Sequence, residues 1–184
     1  MVNRMKNKLK IKNQYKINFK KISNNDLKQI KDWRNLNKIR EFTYQYTLLN
    51  TKTQNAWYSS LKKSDEKIMF LILNESHPIG TCGFVHYDKL NKSADVSIFI
   101  GDKNFHGKGI GTIILQKLIK YGFIKLNLHR IGAEIFEYNL ISVKLFEKAS
   151  FKKEATLRQS LWRHNKWWNV YVYSIINPGF THNL

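Results

Sequence analysis

Apolar and polar residues follow one another in three rhythms along the chain, and each rhythm implies a different element. At helical spacing stand Leu27, Ile30, Trp33 and Leu36, behind a Ser23 to Asp26 pair that reads as a capping box. A second helix is expected from Thr51 or Thr53, carrying Ala56, Trp57, Ser60 and Leu61. Between them "NKIREFTYQYTLLN" keeps no period and predicts no element. The second rhythm is continuous. Residues 68–73, "IMFLIL", form the unbroken apolar run of a buried strand, with "NESH" as a turn and 79–87 as its hairpin partner. A further strand is expected at 94–100, "ADVSIFI", and another at 130–136. Helices are expected at 109–123, with Ile110, Ile113, Ile114, Leu118 and Tyr121 on one face, and at 139–149, with Ile141, Leu145 and Phe146 inward. The third rhythm is strict alternation. Trp167, Asn169, Tyr171 and Tyr173 alternate with Trp168, Val170, Val172 and Ser174 in the second arm of an aromatic hairpin turning at His164-Asn165-Lys166.

A basic strand near 15–19 precedes all of these. The order is then strand, two helices, a meander, helix, strand, helix and a closing hairpin, which implies a single α/β domain over 15–177. A basic extension (1–14) and a short tail (178–184) flank it. No internal repeat or linker interrupts it.

Composition narrows the classes. With 184 residues, 42% hydrophobic and 14% aromatic, the chain can bury a real core. One cysteine, Cys82, excludes a disulfide framework and a cysteine-rich zinc site, and no metal is expected. No apolar run approaches the roughly 18–20 residues of a membrane span. The basic N-terminus lacks the apolar centre of a signal peptide, so an unprocessed cytoplasmic chain is expected. Thirty-two Lys and Arg against thirteen Asp and Glu give a net charge of +19, which favours anionic partners. The lysines are spread along the whole chain beside asparagine and isoleucine, as compositional bias would spread them. Nucleic acid is therefore not expected as the primary partner.

The chemistry concentrates in "FHGKGIGTIILQKLIKYGF", where Gly107, Gly109 and Gly111 lead straight into an apolar helix. A dinucleotide fingerprint fails, because Thr112 holds its third glycine position. A P-loop fails too. Five residues separate Gly101 from Gly107-Lys108, and no hydroxyl residue follows the lysine. What remains is a helix N-terminus with free N–H groups, which is either an anion site or a tight turn needing positive φ.

"FHGKGIG" resembles the pyrophosphate loop, Q/R-x-x-G-x-G/A, of the GCN5-related N-acetyltransferase (GNAT) superfamily. "NLISVKLFEKASF" resembles that superfamily's helix motif N-x-x-[AS]-x-x-[LF]-Y-E-K-x-G-F, and "ADVSIFI" its strand ahead of the loop. "DWRN", "TQNAWYSSL" and the late aromatic hairpin are similar to the RimJ/RimL-like branch, which includes ribosomal-protein, spermidine and amino-sugar nucleotide acetylases. The resemblance implies a central mixed, mostly antiparallel sheet with a splayed strand pair and flanking helices. It implies acetyl-CoA as cosubstrate, its pyrophosphate on His106, Gly107, Lys108, Gly109, Ile110 and Gly111. The pantetheine arm would lie along Ile98, Phe99 and Ile100, with Asn139, Phe146 and Lys148 nearby.

The same resemblance implies direct attack by an amine on the thioester. Asp95 stands where many relatives carry Glu and is the expected base, acting through a water, ahead of Glu134 and Glu137. Phe146 replaces the family's tyrosine acid and Ser150 its glycine, so Ser142 or water would protonate the leaving thiolate. An inactive acetyl-CoA binder is the alternative that this loss raises. The first helix walls the acceptor in this family, which assigns Trp33, Arg34 and Asn35 to substrate. Read as residues alone, Trp33 is more often core, Arg34 a salt bridge or phosphate contact, and Asn35 a helix cap. Trp162, with Trp167 and Trp168, either stacks a nucleotide base or packs a homodimer. The basic charge suits an anionic small molecule such as an amino-sugar nucleotide; a protein N-terminus, another small amine, or a nucleic-acid-binding role is the alternative.

Overall fold

The computed structural model describes residues 15–180; the 1–14 extension and the last four residues of the tail lie outside the described residues. Seven strands form one sheet: β1 (Ile17–Lys21), β2 (Ile68–Asn74), β3 (His77–Asp88), β4 (Ser93–Ile100), β5 (Arg130–Phe136), β6 (Lys152–Arg163) and β7 (Lys166–Ile176). Their order is β1-β2-β3-β4-β5-β7-β6, and every neighbouring pair is antiparallel except β4 and β5. The helices are α1 (Leu27–Asn35), α2 (Asn37–Arg40), α3 (Thr51–Lys63), α4 (Ile110–Lys125) and α5 (Leu140–Lys148).

The unbroken apolar run in β2 has a direct cause. Helices cover both faces of the sheet there, so adjacent residues are buried on opposite sides. Ile72 joins the core with Ile114, Leu118 and Phe146, while Leu71 joins Ile30 and Trp33. Each such aliphatic side chain contributes about 1.5–3 kcal/mol on full burial. By contrast β6 lies at the edge of the sheet, and nearly all its side chains are exposed.

Local signals set the helix starts. The Ser23 amide and hydroxyl both donate to Asp26, at 2.8 and 2.6 Å, across a 3₁₀ turn that runs into α1. At α3, Asn50 Oδ1 accepts from the Thr53 amide at 2.9 Å. Three expected faces are corrected. Leu36 falls after α1 in an extended conformation and is exposed, and Ile39 of α2 takes the core position instead. On α3 the inward face is Gln54, Trp57, Tyr58 and Leu61, whereas Ala56 and Ser60 are exposed. The Asn50 cap fixes where that helix begins and hence its phase. On α5, Phe146 and Ala149 are buried with Val143 against them, and Ile141 is 82% exposed at the open end of the helix. The aromatic hairpin turns on His164 and Asn165, both at positive φ, the two-residue loop that matches strand twist.

Candidate active site at a fork in the sheet

β4 and β5 pair over three rungs only: Ser93 with Arg130, Ala94 with Ile131 and Asp95 with Gly132. Each strand stays paired on its other side, β4 with β3 through Ile100 and β5 with β7 through Phe136. Beyond Asp95 the two therefore separate as the edges of a fork. Residues 96–100 present main-chain N–H and C=O groups to that opening, which includes the expected Ile98, Phe99 and Ile100. An extended ligand can add there as a further strand.

At the wide end of the fork, β4 runs into the glycine loop and α4. Gly107 and Gly109 take φ of 71° and 76°, a region costly for residues with a β-carbon. A β-carbon on Gly107 would meet nothing within 4 Å, so that turn faces open space. Ile110 and Gly111 open α4, and their N–H groups have no preceding carbonyl within the helix to bond. The turn thus needs glycine for its positive φ and leaves main-chain N–H groups at the start of α4 open, so the two readings of the glycines are compatible. Lys108 is exposed. The His106 ring lies 2.9 Å from the Ile100 carbonyl and ties the loop to the strand end. Asn139 Oδ1 accepts from the Ser142 amide at 3.2 Å, so it caps α5. Phe146 is buried edge-on to Phe151, and Lys148 is exposed at the far end of the helix.

At the closed end sits Asp95. One carboxylate oxygen lies over Gly132, where a β-carbon would meet it at 2.2 Å, so only glycine leaves it room. The other is 2.9 Å from His86 Nδ1. His86 adopts φ of 51° in a bulge of β3, where Val85 faces Asp95 and Asp88 faces Ser93. A bulge of this kind re-aims a side chain, and here it turns the imidazole toward the acid. His86 carries a signal that reading the sequence missed, since nothing in "FVHYD" announces the bulge.

A second carboxylate, Glu134, faces the same side two residues further along β5 and accepts the Tyr44 hydroxyl. Partial burial first, and the Glu134 bond and charge after it, push the Tyr44 phenol above its ordinary range. Glu137 is occupied by the Asn169 amide and side chain and the Tyr171 hydroxyl, and these bonds, led by the Asn169 backbone, hold its carboxyl below its ordinary value. It is a brace for β7.

The residues expected to meet the acceptor are dispersed. Trp33 is buried with its ring against Gly101, where a β-carbon would meet it at 2.2 Å, so it packs beneath the entrance to the glycine loop. Asn35 clasps Leu49 through two bonds of 2.8 Å and caps no helix end. Arg34 is half-buried and donates to Gln45 at 3.0 Å, and burial holds its guanidinium below the ordinary value. Trp162 lies at the tip of the hairpin beside Trp167, their centroids 5.1 Å apart. The segment 41–50, which predicted no element, closes over this side: Tyr138 donates to the Glu41 carbonyl at 2.6 Å, and Arg163 to the Tyr44 carbonyl at 3.1 Å. Cys82 is fully buried in β3, and burial pushes its thiol well above the ordinary range. No helix among the described residues is long and apolar enough to cross a membrane.

Comparison with known proteins points the same way. Residues 16–152 match the model of the acetyltransferase (GNAT) domain family. An uncharacterized N-acetyltransferase, p20, of Bacillus licheniformis is 36% identical over 66% of this chain and 67% of its own length. The probable N-acetyltransferase YjcK of Bacillus subtilis is 33% identical over 72% of this chain and 75% of its own. Acetyltransferase PseH of Campylobacter jejuni is 25% identical over 73% and 82%. Among solved structures, spermidine N-acetyltransferase from Vibrio cholerae, in complex with CoA and spermine, superposes with a TM-score of 0.80 at 20% identity, covering 87% of this chain and 95% of that one. That identity shows the shared fold.

Proposed function

The chain belongs to the acetyltransferase (GNAT) family, and from that premise we propose that it moves an acetyl group from acetyl-CoA to the primary amine of an amino-sugar nucleotide. The observation that carries the reading is the fork, which joins a glycine-lined anion turn at one end to a paired carboxylate at the other. The amides of residues 107–111 hold the diphosphate, helped by the dipole of α4. Ile100 stands five positions beyond Asp95, so the acid lies about 17 Å down the strand at about 3.3 Å per residue. That places it at the inner end of an extended thiol arm.

A primary amine is protonated near neutral pH and must lose a proton before it attacks. Asp95, directly or through one water, accepts that proton, and His86 on its second oxygen orients the carboxylate and gives the proton a way out to solvent. The amine nitrogen then bonds the thioester carbon. An N–H group of the β4 edge steadies the negative charge that develops on the carbonyl oxygen. The nitrogen releases its second proton to water as the carbon–sulfur bond breaks, and the thiolate, whose conjugate acid has a pKa of about 8.5, takes a proton from water or from Ser142, whose hydroxyl that water restores. Phe146 supplies none. Burial keeps Cys82 from serving as an acyl carrier, which fits direct transfer.

The charge around segment 41–50, the cap over this side of the fork, favours a substrate with both an amine and an anionic part: Glu134 and Asp95 suit the ammonium, and Arg40 and Arg163 beside the cap suit phosphate. Calorimetric titration of acetyl-CoA tests the first half of this reading, with a Kd between micromolar and low millimolar expected. CoA release with amino-sugar nucleotides, polyamines and N-terminal peptides tests the second. No acetyl-CoA binding refutes transfer; turnover confined to polyamines or peptides refutes the sugar nucleotide.

A further inference from the structure

Gly107 and Gly109 have no side chains to hold their turn in shape, and glycine gives up more backbone freedom on ordering than any other residue. The N–H groups of the turn stay in register for a diphosphate only if both flanks are fixed. The flank after it is α4, anchored in the core by Ile110 and Ile114. The flank before it, residues 101–106, is braced by the β2–β3 hairpin, which reaches the same end of the sheet because Gly80 near its turn pairs with Ile100. The Ile79 carbonyl accepts from the amides of Gly101 and Asp102 at 2.8 and 3.1 Å. Beyond Asp102 the chain makes a 3₁₀ turn, Lys103–Phe105, and one side chain grips both of its ends. His77, the first residue of β3, donates from Nε2 to Asp102 Oδ2 at 2.9 Å, since an ionised carboxylate only accepts. Its ring stacks on Phe105, with centroids 6.0 Å apart and planes 24° from parallel. Asp102 Oδ1 caps the turn by accepting from the Asn104 amide at 2.9 Å. Burial alone would raise the Asp102 carboxyl, but the bonds from His77 and Asn104 outweigh it and hold the group below its ordinary range. Tyr15 meets the Phe105 ring edge-on at 6.2 Å.

We propose that His77 is a positioning residue for the cosubstrate: by joining Asp102 to Phe105 it fixes segment 101–106, and through it the amides at 107–111, in the arrangement that receives the diphosphate of acetyl-CoA. The proposal rests on the acetyl-CoA reading above and adds to it a residue from outside the glycine motif, 25 positions before Asp102. The role needs no contact between the imidazole and the cosubstrate. The imidazole is 58% exposed and the carboxylate 16%, so removing the ring opens no core, and the loss falls on the order of the turn. His106 keeps a second tie, to the Ile100 carbonyl at 2.9 Å, which limits that loss. The diphosphate is held alike in the ground state and the transition state, so the cost appears in the affinity and KM for acetyl-CoA and not in kcat.

The test titrates CoA calorimetrically into the full chain and its variants and measures steady-state rates beside it. His77→Ala is expected to weaken CoA about three- to tenfold and to raise the KM for acetyl-CoA by the same factor. The kcat, the KM for the amine and the thermal midpoint should stay as they were. Two uncharged replacements separate positioning from simple attraction of the diphosphate by a cation. His77→Gln keeps a donor for Asp102, and His77→Phe keeps a ring for Phe105; each should recover part of the affinity. Phe105→Leu, which removes the stack and leaves the bond, should weaken CoA less than His77→Ala, and it takes the place of that variant if it does not fold. Recovery in neither uncharged variant overturns the role, because charge alone would then account for the loss. So does an unchanged CoA affinity in His77→Ala, or a fall in kcat and thermal midpoint along with it. Failure of the parent protein to bind CoA refutes the acetyl-CoA reading instead, so the two failures are separable.

Discussion

The two walls of the fork are built by different means. The β4 wall, with the glycine turn and the start of α4, works through main-chain groups drawn from one stretch of about fifteen residues. The β5 wall and its cap work through side chains brought from distant parts of the chain: Tyr44 meets Glu134 across 90 positions, and Arg163 meets the Tyr44 carbonyl across 119. A site made of amides is specified by where side chains are absent. A site made of side chains is specified by tertiary packing and can change without disturbing the first. Only Asp95, on the last shared rung, belongs to both.

Breaking the junction should therefore have the largest effect. Asp95→Asn is expected to lower kcat about 10²–10³-fold, the ordinary contribution of a general base, with acetyl-CoA affinity unchanged. The acidic limb of the pH–rate profile should go with it. His86→Ala should shift that limb and lower kcat less; an unaltered profile in both variants would remove the pair from the proton path. Next comes the main-chain wall. Gly109→Val forces a β-branched residue into φ of 76° and should cost about 1–2 kcal/mol of stability. It should also weaken acetyl-CoA roughly tenfold to a hundredfold, with the KM for the amine unmoved.

That division decides what could be read from the sequence. The elements of the β4 wall were legible because glycine spacing, an apolar strand before it and a helix after it are local signals, and each fell within a residue or two of its place. The mixed, mostly antiparallel sheet with one splayed strand pair followed from the family likeness, though not the order of its strands. Illegible were the features set by contacts. The bulge at His86 depends on how β3 meets β4, the phase of α3 on where Asn50 caps it, and the course of 41–50 on Tyr138 and Arg163. Asn35 shows the difference in a single residue. Beside Trp33 and Arg34 it reads as substrate contact or helix cap, yet its amide is committed to Leu49.

Smaller effects sharpen the contrast on the side-chain wall. Tyr44→Phe removes one hydrogen bond to a carboxylate, a net contribution of about 1.5–3 kcal/mol at most for a charged partner, reduced here because the ring is 57% exposed. The KM for the amine should rise several-fold while acetyl-CoA binding stays as it was. A change in acetyl-CoA affinity instead would mean that the two walls are coupled, and that the cap helps to hold the fork open.

The smallest effect concerns what braces the β5 wall. Only three rungs join β5 to β4, so β5, β7 and β6 must hold one another in place. Arg130 on β5 bonds Glu154 on β6, and Ser174 of the intervening β7 donates to the same carboxylate. The bond from Arg130 first, and that from Ser174 after it, lower the Glu154 carboxyl from 4.5 to about 2. A carboxyl depressed in the folded state stabilises fully above its unfolded value and loses that contribution as pH falls toward its folded one. The contribution should thus be whole at pH 7 and fade between about 4.5 and 2. Because the side chain is 39% exposed, screening limits it to about 0.5–1 kcal/mol. Thermal midpoints of the protein and of Glu154→Gln should accordingly differ most at neutral pH and converge as the solution approaches pH 2. A gap that stays constant across this range would mean that the β5 wall is held by packing alone, and that the ion pair is incidental to the fork.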